Sequence, residues 1–183
     1  MKKSRNEILY ENAKTLYSKA IDIIGSTYDK VFSKDASFKY KRADIYADYD
    51  AYLQAALVKV CYLTGKFDSD RLTFIEDLAS YGKLLEGADL ALFADSVGEI
   101  RTKLSEKAED RLKQVPIAFK LTAAIDSAKN TDITSALLGV TAKIALNFKL
   151  IGGSDDYKDN SDVSSAFKSV YAFLSSHGIK LGK

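Results

Sequence analysis

Residues 41–63 read KRADIYADYDAYLQAALVKVCYL, and the fold class turns on them. Ile45, Tyr49, Tyr52, Leu53, Ala56, Leu57 and Val60 recur at three- and four-residue steps. That is the period of an α-helix, and it gathers these side chains on a face broad enough for a helix of the core. The stretch stops at Thr64-Gly65-Lys66, where glycine can take the left-handed cap conformation.

The helical period continues on both sides. Upstream, Leu9, Ala13, Leu16, Ala20, Ile23, Ile24 and Val31 predict a helix over residues 4–32. Gly25 weakens its middle by about 1 kcal/mol relative to alanine and predicts a bend. Downstream, Asp68 or Ser69 caps a helix expected over residues 69–85, with Leu72, Ile75, Leu78 and Ala79 buried. Residues 89–114 follow, with Gly98 a point of division and a narrow stripe of Ile100, Leu104, Ala108 and Leu112. Pro116 suits a first helical turn and starts a helix that ends near Asn130. Thr131 or Asp132 caps the next, which runs to Gly152-Gly153, and Ser161 or Asp162 caps the last. About seven helices and no strand candidate make residues 1–183 a single all-α domain.

Composition narrows the function. With 46% apolar and 28% charged residues the chain is expected to bury a core rather than stay disordered. The 27 basic and 25 acidic residues nearly cancel, so there is no general field for nucleic acid or anionic lipid. Cys61 is the sole cysteine, which excludes an intramolecular disulfide and a cysteine-based zinc site. The basic start, Met1-Lys2-Lys3, is not followed by the apolar run of a secretory signal. No stretch reaches the ~20 apolar residues of a membrane span. A cytoplasmic protein is the expectation.

Two segments resemble each other. ALVKVCYLTGKFDSDRLTFIEDLASYGKLLEG spans residues 56–87, and TAKIALNFKLIGGSDDYKDNSDVSSAFKSVYAFLSSHGIKLGK spans 141–183. Each reads as apolar helix, glycine turn, Ser-Asp cap and second helix. Superposing Ser69-Asp70 on Ser161-Asp162 also sets Ile75 on Phe167 and Leu78 on Val170. A duplicated hairpin and convergent capping both produce this pattern. Duplication predicts two hairpins packed about a pseudo-two-fold axis.

The hairpin with its glycine turn, Thr64-Gly65-Lys66-Phe67-Asp68-Ser69-Asp70, and the longer second copy from Gly152-Gly153 to Asp162 resemble the tellurite-resistance TerB-like domain. The resemblance covers residues 45–183 and leaves residues 1–33 as an added N-terminal helix. It implies a helical bundle, a role in a bacterial stress response, and carboxylates near the turns that hold a metal. Thr64 stands where the family has its turn aspartate, and Arg71 falls near the usual acidic position.

No Gly-rich phosphate loop, HExxH or GxSxG pattern occurs, so the chain reads as a non-enzyme. His177, the sole histidine, reads as a cation at a helix end, and Cys61 as a small buried hydrophobe. Asp155, Asp156, Asp159 and Asp162 form the densest acidic loop, and a divalent cation such as calcium is the ligand it would take. It is not an EF-hand: counting from Asp155, the sixth position is Asn160 and the twelfth Ala166. A solvated loop that caps a helix is the other reading. Asp44 and Asp48, four apart on one helix, read as a surface pair neutralised by Lys41 and Arg42.

Eleven tyrosines and no tryptophan are the compositional oddity. Tyr46, Tyr49 and Tyr52 lie among the acidic residues of the second helix. They read either as a partner-binding surface or as boundary residues between core and solvent. The expectation is a helical interaction module with a protein partner, and the alternative is a metal-binding protein built on the acidic loop.

Overall fold

Helix α1 (Arg5–Phe32) opens the chain, followed by α2 (Arg42–Thr64), α3 (Ser69–Leu78), α4 (Gly87–Asp95), α5 (Glu99–Leu112), α6 (Ile117–Lys129) and α7 (Ile133–Leu150). The computed structural model describes residues 2–32, 39–64, 68–95, 98–151, 168 and 170–176, and residues 170–175 are also helical. Among the described residues there is no strand.

Local chemistry sets several boundaries. Ser4 and Glu7 form a reciprocal capping box at the start of α1: Ser4 N–H donates to Glu7 Oε2 at 2.6 Å and Glu7 N–H to Ser4 Oγ at 3.2 Å. Asp68 caps α3 by accepting from Arg71 N–H at 3.0 Å. Gly98, with φ of +93°, separates α4 from α5, a conformation that costs glycine nothing and other residues a steric clash. Pro116 precedes the first turn of α6, and Asn130, with φ of 53°, ends that helix in the left-handed region.

The long helices carry the core. α1 packs chiefly along α7, and α2 packs on α5 with further contact to α6 and α7. Ile24 of α1, Leu57 of α2, Phe74 of α3, Phe93 of α4, Leu112 of α5, Phe119 of α6 and Phe148 of α7 all belong to one buried cluster, which Val170 and Leu174 join. Phe74 sits edge-on to Tyr10 at 5.7 Å and to Phe148 at 5.4 Å, so α3 is wedged onto both α1 and α7. By length and composition α7 could cross a bilayer, with mean hydropathy 1.3 over 18 residues. In this fold most of it is buried as the core helix.

Two expectations are corrected. α3 stops at Leu78 rather than near residue 85, because the chain beyond it turns extended at Ala79 and gives its N–H groups to α2. α1 is assigned as one helix across Gly25. That glycine admits Tyr46, whose hydroxyl would lie 2.6 Å from a Cβ at this position. At α7, Asp132 makes no capping hydrogen bond; Asp126 of α6 does that work by accepting from Ile133 N–H at 2.8 Å and Thr134 N–H at 2.9 Å. Of the second hairpin of the proposed duplication, residues 152–167, 169 and 177–183 lie outside the described residues.

Candidate functional site

Helix α2 is apolar on most sides, yet Asp50 and Gln54, one turn apart, are both buried. Their partner is a non-helical strap, residues 79–86. Asp50 Oδ2 accepts the N–H groups of Ser80, Tyr81 and Gly82 at 3.1, 2.7 and 3.2 Å. Its Oδ1 accepts the Tyr17 hydroxyl at 2.6 Å, which brings α1 into the same network. Gln54 Oε1 accepts from Leu84 and Leu85 N–H, and its Nε2 donates to the Leu85 carbonyl at 3.1 Å. The strap lies close on α2: a Cβ at Gly82 would fall 2.8 Å from Ala47 Cβ and 2.9 Å from the Ala47 carbonyl. These bonds satisfy the backbone groups of a part-buried turn that lies outside any helix.

Burial is the dominant influence on Asp50 and holds its carboxyl above the usual range, against the pull of Tyr17 and three backbone donors. Burial, and then the hydrogen bond to Asp50, push the Tyr17 phenol far above its ordinary value. Tyr17 therefore stays protonated and serves as a fixed donor to Asp50.

Above this network a groove follows α1. One hollow, of about 510 Å3, is lined by Gly25, Asp29, Arg42 and Tyr46 among others. A second, of about 400 Å3, is lined by Lys14, Tyr17, Asp77, Ser80 and Tyr81 among others. The two meet at Ile21 and Asp22, which line both. Tyr46 and Tyr81 join their walls, with ring centroids 4.7 Å apart. Tyr46 is 8% exposed and Tyr81 50%, so Tyr81 is the ring that solvent reaches. Arg42 pairs with Asp29 and lies 5.1 Å over the Tyr28 ring, while Lys14 lies 4.5 Å over Tyr10.

The tyrosine reading divides. Tyr49 and Tyr52 are fully buried and so cannot form a partner-binding surface. The Tyr49 hydroxyl shares a hydrogen bond with Thr141 Oγ1 at 2.7 Å, and Tyr52 packs edge-on to Phe119 at 5.7 Å. Their acidic neighbours did not signal exposure, because two of those acids, Asp48 and Asp50, themselves turn to the protein. Asp48 is no surface partner of Asp44. Its Oδ1 accepts from Arg111 at 2.6 Å and its Oδ2 from Ile117 N–H at 2.8 Å, which ties α2 to the start of α6. Asp44 is exposed.

Asp155, Asp156, Asp159, Asp162 and His177 lie outside the described residues, as does the side chain of Cys61. No group of three or more histidine, cysteine, aspartate or glutamate side chains converges among the described residues. At the first hairpin turn, Asp68 faces Arg71 at 2.8 Å. Arg71 is buried and donates to the Lys149 carbonyl at 3.1 Å, so a fixed cation stands at this turn and joins α3 to the end of α7.

Asp50, Gln54, Tyr17 and Tyr81 escaped the sequence reading. Their signal was present: a polar pair four apart, Asp50 and Gln54, within an apolar helix, and Tyr81-Gly82 in a region taken for helix. Searches against protein-family models, curated proteins and solved structures give no match to this chain.

Proposed function

We propose that this chain is a non-enzymatic helical interaction module that works in the cytoplasm by binding a protein partner along the groove of α1. The observation that carries this reading is the groove itself, two adjoining hollows beside one long helix with a half-exposed tyrosine on the wall. Such a surface offers shape, mixed charge and an amphipathic ring to a partner segment. The non-enzymatic part is supported by what the buried carboxylates do. Asp50 and Asp126 accept from backbone N–H groups and hydroxyls and organise joints in the chain. The TerB-like resemblance of the hairpin turn supports a setting in a bacterial stress response.

Site-specific photo-crosslinking tests the reading. A benzophenone amino acid placed at Ser18, in the groove, is expected to give a discrete protein adduct in cells. The same group at Glu106, exposed on α5, is expected to give none. Equal labelling at both positions, or none at Ser18, would count against the groove.

A further inference from the structure

We infer that the hollow between α1 and the strap receives a cationic side chain, an arginine, from a basic segment of the partner. The inference rests on the groove being the contact surface. It follows from an imbalance in how the groove's charges are used. Its cations are Lys14, which lies over the Tyr10 ring, Arg42, which pairs with Asp29 and covers Tyr28, and Lys30, which lines only the hollow away from the strap. Its carboxylates Asp22 and Asp77 are exposed and form no ion pair among the described residues. Both line the hollow that Tyr81 walls.

The lining of this hollow sets two carboxylates, Asp22 and Asp77, against the single cation Lys14, so its charge is negative, and it lies beside a half-exposed aromatic face whose other support is Tyr46. A planar guanidinium fits both features at once. It donates a paired set of N–H groups to a carboxylate and stacks on a tyrosine ring, whereas an ammonium offers only a point charge. An acidic segment would bring its charge against Asp22 and Asp77 and be repelled. Tyr17 forms the floor, and its proton is committed to Asp50, so it presents no free donor that would favour an anion.

The probe is a capped Gly-Ser-Arg-Ser-Gly peptide, added to the 15N-labelled full chain and followed by amide resonances. Two companions replace arginine with citrulline, which keeps the shape and removes the charge, or with glutamate. The arginine peptide is expected to shift Ser18, Asp22, Asp77 and Tyr81 in a saturable way. Citrulline should weaken it about tenfold, as expected for loss of a charge-assisted pair. The Asp22→Asn, Asp77→Asn double variant should weaken it by a similar factor. Both positions are exposed, so this variant should keep the wild-type melting temperature. Equal binding of the arginine and citrulline peptides, unchanged binding by the double variant, or no shift at these amides would overturn the inference. A glutamate peptide that shifts the same amides more strongly would overturn the basic partner and leave the groove standing. The groove reading fails separately, if Ser18 gives no adduct in the cross-linking experiment.

Discussion

At the strap, Asp50 reaches across 30 to 32 residues of sequence to hold Ser80, Tyr81 and Gly82. At the joint between α6 and α7, Asp126 reaches only 5 to 8 residues, to Thr131, Ile133 and Thr134. Each carboxylate gathers several donors from a turn of chain, and each is buried, with Asp50 at 0% and Asp126 at 6% exposure. Their ionisation nevertheless moves in opposite directions. At Asp126 burial raises the carboxyl, but hydrogen bonds from Thr131, Thr134 and Ile133 outweigh it and the net shift is downward. At Asp50 burial is the stronger influence and the net shift is upward. Depth in the fold, not the number of donors, decides the sign. The shallow joint is a local capping device, and the deep one ties together α1, α2 and the strap that walls the groove.

Removing each acid should expose this difference. Asp50→Ala leaves three backbone N–H groups and the Tyr17 hydroxyl without an acceptor in the interior. We expect a loss of about 3–5 kcal/mol in urea unfolding, the range found when one member of a buried polar cluster is deleted. A loss under about 1 kcal/mol would mean that the strap is not anchored by Asp50. Asp126→Ala removes a local helix cap, with Thr131 exposed and Thr134 buried among its donors, and should cost about 1–2 kcal/mol. A cost equal to that of Asp50→Ala would remove the contrast between deep and local.

The smallest effect is in pH dependence, and its sign differs between the two. Asp126 has a folded pKa below its unfolded value. Its contribution is present above the unfolded value, about 3.9, and is lost as pH falls through the folded one. Asp50 has a folded pKa above its unfolded value, so its contribution is complete below about 3.9 and declines as pH rises through the folded pKa. The stability gap between the wild type and Asp126→Ala should therefore shrink on acidification. The gap between the wild type and Asp50→Ala should widen. Urea midpoints measured from pH 3 to pH 7 check both, and parallel slopes would show that burial does not govern Asp50.

Local features of the chain were readable before the structure. The face of Ile45, Leu53, Leu57 and Val60 marked α2 as a core helix, Asp68 marked the start of α3, and Gly98 the break between α4 and α5. Each depends on residues within a turn or two of one another. The end of α3 was not readable, because what stops it is an acceptor on α2, far away in sequence. The capping of α7 by Asp126 rather than Asp132 was missed for a milder form of the same reason. The groove was invisible for a third: Tyr46 and Tyr81 become one wall only after the strap folds onto α2.

By itself, then, the sequence determined the helical class, most of the helix boundaries and the apolar faces, since these follow from a 3.6-residue period and from caps a few residues apart. The tertiary structure alone decided which tyrosines are core and which face solvent. It also decided which acids hold the chain together and which line the groove without an ion pair among the described residues. Those assignments depend on burial and on partners from distant segments, and neither is written in the spacing of one helix.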